Sequence, residues 1–206
     1  EISAWGKHRK LENYSEIKSY VISKEPLLST NEEGSLVSAD LISLSIKEIL
    51  KEAKIKTKRV IFPLPDFLTF AASFEIPPMP EKEIASAVYY NASRYLTLPI
   101  SEVTLDWKII NNNSNNKDSS IKVFLIAVPN QVIQEYQKIA RNSGLELYAL
   151  EPEVFGIARA LVQGSKNTIC MIDMGAGTST INIIDGGFFK RSYSSNFGGK
   201  QLSTAL

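Results

Sequence analysis

Apolar residues along this chain switch between a two-residue and a 3.6-residue period, and the switches predict an ordered set of strands and helices. Residues 1–5 read as a strand, 7–13 as a polar turn and Tyr14–Ile22 as a second strand, with a loop at 25–36. Ser38 is placed to cap a helix reaching about Lys54, whose inward stripe is Ile42, Ile46, Ile49, Leu50 and Ala53. A short strand from Val60 ends in Pro63-Leu64-Pro65, since proline cannot donate to a sheet. The next stretch has its own rhythm. A strand at Thr69–Ile76 meets the rigid bend Pro77–Pro80. A helix follows at Glu81–Leu96, with Ile84, Ala85, Val88, Ala92, Tyr95 and Leu96 inward. Strands at Val103–Ile110 and Lys122–Val128 flank a polar, low-complexity loop at 111–120. A helix at Gln131–Asn142 buries Val132, Tyr136, Ile139 and Ala140, stops at Gly144, and leads into a strand at Leu145–Leu150. The order β-α-β-β-α-β has the size of a small inserted domain. Beyond it, Glu151-Pro152 opens a helix with Val154, Phe155, Ala158 and Leu161 inward. After a linker at 164–167, strands at Thr168–Ile172, Ile181–Ile184 and Phe188–Tyr193 lead to Gly198-Gly199 and a helix from Lys200.

Composition narrows the class without naming a function. The chain is 44% hydrophobic and 22% charged, enough apolar surface for one or two cores. Its net charge is +1, so no nucleic-acid surface is expected, and Lys7–Lys10 reads as a solvated turn. No apolar run is long enough to span a membrane, and no signal-peptide pattern opens the sequence. Cys170 lies in a strand pattern and is expected to be a buried, inert thiol. His8 is the only histidine, which excludes a His-based triad or a multi-histidine metal site within these residues.

The candidate chemistry is the turn Asp173-Met174-Gly175-Ala176-Gly177-Thr178. Asp173 is placed at the end of an apolar strand, where its carboxylate emerges from the sheet. Gly175 and Gly177 let a ligand approach the main chain, and successive amides form an anion-binding concavity. Thr178 adds a hydroxyl. A carboxylate beside phosphates acts through magnesium and its waters, so Asp173 is the metal-facing candidate. A plain β-hairpin whose glycines only make the bend is the competing reading, and short glycine motifs often mislead.

Context supports phosphate. Strand, glycine turn, strand, Asp185-Gly186-Gly187 turn, strand, Gly-Gly and helix resembles the opening of the second lobe of actin-like ATPases. Several further stretches resemble the PilM family of actin-like pilus-assembly proteins: Lys56–Pro65, Ile76–Glu83, Tyr95–Trp107, Ala127–Pro129 and Leu150–Leu161. Thr180 suits that family better than the division protein FtsA. The resemblance implies an α/β, actin-like (ribonuclease H-like) lobe carrying an inserted SHS2-type β-α-β-β-α-β domain. Residues 1–66 and 150–164 would form the first-lobe core, 67–149 the insert, and 165–206 the start of an incomplete second lobe.

It further implies ATP and magnesium held by Asp173, Gly175, Ala176, Gly177 and Thr178. Glu151 falls where relatives orient an attacking water, although a carboxylate at a helix start is also favoured by the dipole alone. The implied function is a cytoplasmic scaffold of the type IV pilus inner-membrane platform. It would be recruited by the N-terminal peptide of a PilN-like membrane protein, and would be at most a weak ATPase. Faces near Pro77–Glu83 and Tyr89–Tyr95 are candidates for that docking. The first phosphate motif and the adenosine-binding glycines of the family fall outside residues 1–206, so these residues alone are expected to bind nucleotide weakly or not at all. An FtsA-like division protein, a type II secretion component and a sugar kinase of the same superfamily are the alternatives.

Overall fold

The computed structural model describes residues 2–5, 8–17, 39–110, 120–162 and 165–205. They form two compact units, residues 1–62 with 131–150 and residues 63–130 with 151–206.

In the first unit, β1 (Ile2–Trp5) pairs antiparallel with β2 (His8–Leu11) in the register Trp5↔His8. The second strand therefore starts earlier than expected: main-chain pairing overrides the polar side chains of His8-Arg9-Lys10, which hide a strand from periodicity. Tyr14–Ile17 lie outside any strand, and the rest of the strand expected to Ile22, the loop at 25–36 and the Ser38 cap fall outside the described residues. Helix α1 (Ala39–Glu52) buries Ser43 and Ser45, while Ile42, Ile46, Ile49, Leu50 and Ala53 are only half-buried. The serines tolerate burial because each hydroxyl donates to a carbonyl four residues back, Ser43 to Ala39 at 2.8 Å and Ser45 to Leu41 at 2.6 Å.

Helix α3 (Asn130–Asn142) buries the expected stripe Val132, Tyr136, Ile139 and Ala140. Gly144, at φ +72°, ends it, with the Leu145 amide returning to the Ala140 carbonyl at 2.9 Å. Strands β3 (Arg59–Leu64) and β7 (Glu146–Pro152) form a two-stranded sheet. Phe62 meets Tyr136 edge-on at 5.5 Å.

In the second unit, β4 (Phe70–Ile76), β6 (Ile121–Pro129) and β5 (Val103–Ile109) form an antiparallel sheet in the order β4-β6-β5. Helix α2 (Glu81–Ala92) covers one face, burying Ile84, Val88 and Ala92 against Phe74, Ile76, Val123 and Leu125. This helix stops at Ala92, short of the expected Leu96. Ala85 and Tyr95 are exposed, though Tyr95 stacks on Phe74 at 5.7 Å. Of the segment expected as an insert, β4-α2-β5-β6 form this layer, whereas β7 hydrogen-bonds to β3 and nearly all of α3 belongs to the first unit.

The remaining sheet has the order β10-β9-β8, from β8 (Thr168–Met174), β9 (Ser179–Asp185) and β10 (Phe188–Ser195). Helix α4 (Glu153–Leu161) precedes it and α5 (Gly199–Ala205) follows. Val154, Val162, Met171 and Ile184 make the core here. Leu161, expected inward, is 73% exposed, because α4 ends there and Val162 turns in instead. Cys170 is exposed rather than buried: alternation along β8 turns Met171 inward and Cys170 to the other face.

Candidate functional site

Strand β8 runs two residues further than its apolar pattern, so Asp173 lies within it, paired with Thr180, and Met174 pairs with Ser179. Gly175, Ala176, Gly177 and Thr178 are the four residues of the connecting loop. The Gly175 amide donates to the Thr178 carbonyl at 2.9 Å and closes the loop. A side chain at Gly175 would put its Cβ 3.0 Å from that same carbonyl oxygen, whereas Gly177 faces open space. The amides of Ala176, Gly177 and Thr178 donate to no acceptor among the described residues. Next to them in the chain, the buried Ser179 hydroxyl has no protein partner; the polar atoms of the Asn182 side chain also lack one, but they lie within β9, opposite Met171. Free amides, the unpartnered Ser179 hydroxyl and open space at Gly177 fit a phosphate-bearing ligand.

The loop is held from behind. The amides of Gly199 and Lys200 donate to the carbonyls of Gly175 and Ala176 at 2.8 and 2.9 Å. The side-chain oxygen of Gln201 accepts from the Gly198 amide at 3.0 Å, half of a capping box at the start of α5.

Two further carboxylates approach Asp173. Asp66 opens a 3-10 turn, Asp66–Leu68, just after β3, and Glu153 lies in the first turn of α4. The Asp66 amide donates to Glu153 Oε1 at 3.4 Å. Burial pushes the Asp66 carboxyl up to about 6; the charge of Glu153 adds to this, the Val154 amide opposes it, and Asp173 contributes least. Glu153 is raised as well, chiefly by burial and further by Asp173, against the stabilising Asp66 amide. Among the described residues no group of three Asp, Glu, His or Cys side chains is arranged to hold a metal directly. Magnesium would suit this site only through water and phosphate oxygens, as is usual for that ion.

Glu151 is placed differently. Pro152 keeps an extended backbone (φ −55°, ψ 136°), so Glu151 and Pro152 end β7 and the helix starts at Glu153. The Glu151 carboxylate holds the Arg159 guanidinium at 2.5 Å. The structure therefore brings Asp173, its loop, Glu153 and Asp66 together, and leaves Glu151 in an ion pair. Glu153 takes the first helical position because Pro152 is the last extended residue.

A second feature lies in the same unit. Phe124 of β6, Phe155 of α4 and Phe189 of β10 meet edge-to-face, with ring centres 5.7–5.8 Å apart. They line an open cavity of about 440 Å³ with Ile110, Ala158 and Ile184, and Lys108 and Arg159 at its polar part. A register shift between Phe189 and Arg191 marks a β-bulge, which re-aims side chains there. Local periodicity carries no signal for this convergence. Tyr89 and Tyr90, near the expected docking face, are exposed on α2 and do not line it.

Comparison with known proteins places this geometry in a family. The sequence family described as type IV pilus assembly protein PilM matches residues 8–206. A solved PilM-PilN type IV pilus biogenesis complex matches 100% of this chain and 60% of its own chain, at 21% identity and a TM-score of 0.80. The cytoplasmic domain of EpsL, an inner membrane component of the type II secretion system of Vibrio cholerae, matches 79% of this chain and 59% of its own, at 12% identity and a TM-score of 0.55. This chain thus spans about 60% of the length of these relatives. The α/β fold class expected from the sequence is the class of the structure, and the chain belongs to the PilM family of type IV pilus assembly proteins.

Proposed function

We propose that this chain is the actin-like scaffold part of a type IV pilus inner-membrane platform, recruited by the N-terminal peptide of a PilN-like membrane protein. The observation that carries the reading is the aromatic cavity of Phe124, Phe155 and Phe189. Three rings from separate elements leave an apolar groove open, where an apolar side chain of a peptide would find a desolvated anchor site. The partner is suggested by the related PilM that was solved with PilN. In this reading a membrane-bound partner supplies the attachment and keeps the protein on the cytoplasmic side; no helix among the described residues is long and apolar enough to cross a membrane.

The reading is tested by fluorescence anisotropy with a labelled N-terminal peptide of the PilN-like protein and the full-length natural protein. Phe155→Ala and Phe189→Ala are expected to weaken binding about tenfold or more. Wild-type affinity in both variants rejects the cavity as the seat.

The Asp173–Thr178 turn is read as one part of an ATP site, with magnesium bridged by water to Asp173 and Glu153 facing the same space. Turnover, if present, would be slow, and the protein would serve as a nucleotide-sensitive scaffold. A second assignment, to a type II secretion platform, is favoured by the likeness to EpsL. Binding of a peptide from the secretion partner, with none from the pilus partner, would select it.

A further inference from the structure

We propose that Gly198 and the first turn of α5 position the 175–178 loop for phosphate, acting as a latch behind it. The inference rests on reading that loop as a nucleotide site. In a trans peptide the N–H points opposite to the C=O. The carbonyls of Gly175 and Ala176 are turned into α5 by the Gly199 and Lys200 amides. The same two peptide planes therefore aim the amides of Ala176 and Gly177 away from α5, and these are the amides without a partner. The helix start spends its own amides on the loop, so it is a support and not an anion site.

Close approach is possible only because residue 198 lacks a side chain. A Cβ there would lie 2.6 Å from the Gly175 oxygen, 2.7 Å from the Ala176 oxygen and 2.8 Å from the Ala176 carbonyl carbon, all backbone atoms that cannot swing aside. At Gly199 the nearest atom would be 3.7 Å away, an ordinary contact. Two adjacent glycines thus make a matched pair.

The test measures binding of magnesium with a fluorescent ATP analogue to full-length wild-type, Gly198→Ala and Gly199→Ala proteins. Thermal melting and partner-peptide affinity are read alongside. Gly198→Ala is expected to weaken nucleotide binding at least tenfold with peptide affinity kept, and Gly199→Ala to change it less than twofold. Unchanged affinity in Gly198→Ala, or equal losses in both, overturns the latch. If wild type binds no nucleotide, the nucleotide reading fails on its own. The latch is then judged by hydrogen exchange at the Gly199 and Lys200 amides, which should be protected in wild type and Gly199→Ala and fast in Gly198→Ala. Equal protection in all three overturns it.

Discussion

Strand β9 is bounded by two glycine turns that look alike in sequence and differ in physics. At one end, Asp185-Gly186-Gly187-Phe188 closes on itself. Asp185 pairs with Phe188, and both glycines have positive φ, +59° and +82°, the signature of a two-residue type I′ hairpin. Its aspartate is used locally, accepting from the Thr168 hydroxyl at 2.7 Å and pairing with Lys190 at 3.3 Å, which holds its carboxyl below the usual range. At the other end, neither Gly175 nor Gly177 has positive φ, and the loop, closed by the Gly175 amide on the Thr178 carbonyl, is also held from behind by α5. Asp173 there has no ion-pair partner among the described residues and shares its surroundings with two further carboxylates. Glycine in the first turn answers a backbone requirement. In the second, at Gly177, it leaves open space, which the proposed binding loop would need and a bend does not.

The sharpest way to break this contrast is to neutralise each aspartate. Asp173→Asn in the full-length protein is expected to weaken magnesium-ATP binding about 100-fold, about 2.7 kcal/mol. Asp185→Asn should leave it within about twofold, since that carboxylate is committed to Thr168 and Lys190. Isothermal titration of both variants reads the difference, and equal losses would erase the distinction.

Stability should show the reverse order. Gly187→Ala forces a Cβ into the left-handed region, a cost of about 1–2 kcal/mol. Denaturant melts should show that loss with nucleotide affinity unchanged. If the variant is as stable as wild type, the turn is not held by its positive φ.

The acidic surroundings belong to one turn only, which gives a pH signature. The folded carboxyl of Asp66 titrates at about 6, above its ordinary 3.8, so the folded state holds its proton more tightly than the unfolded state does. That favours folding at low pH, and the advantage is lost as pH rises from about 4 to about 6, with Glu153 shifted in the same direction. Asp66 is partly exposed, so solvent screening reduces the effect to about 1 kcal/mol. Asp66→Asn should flatten stability across that window and raise it at pH 7. A wild-type stability that rises with pH there would contradict the assignment.

How far the sequence alone reveals this site depends on the range of the interactions involved. The Asp173–Thr178 turn and the α3 stripe are legible because one strand, one loop or one helix period carries them. Glu153 is obscured by Glu151, two residues earlier, because the choice between them depends on Pro152 staying extended. Buried Ser43 and Ser45 break the apolar stripe through back-bonding that periodicity does not weigh. The Phe124, Phe155 and Phe189 cluster and the contact of Gly198 with Gly175 join residues far apart in the chain, where no local pattern can announce them.

Gly177 gives the subtlest separation. Its φ is not positive and nothing lies within 4 Å of a Cβ built there, so the fold places no demand for glycine at this position. Replacing glycine by alanine where the backbone is compatible lowers the entropy of the unfolded chain, so Gly177→Ala should match or exceed wild-type stability by about 0.4–1 kcal/mol. The added methyl group would stand in the space beside two free amides, where a phosphate would sit. Magnesium-ATP affinity should therefore fall by about threefold, about 0.7 kcal/mol, while the melt moves the other way. Opposite signs in one variant would separate a glycine kept for a ligand from one kept for a bend. A Gly177→Ala protein that binds nucleotide as wild type does would return this turn to the class of its neighbour at Gly186-Gly187.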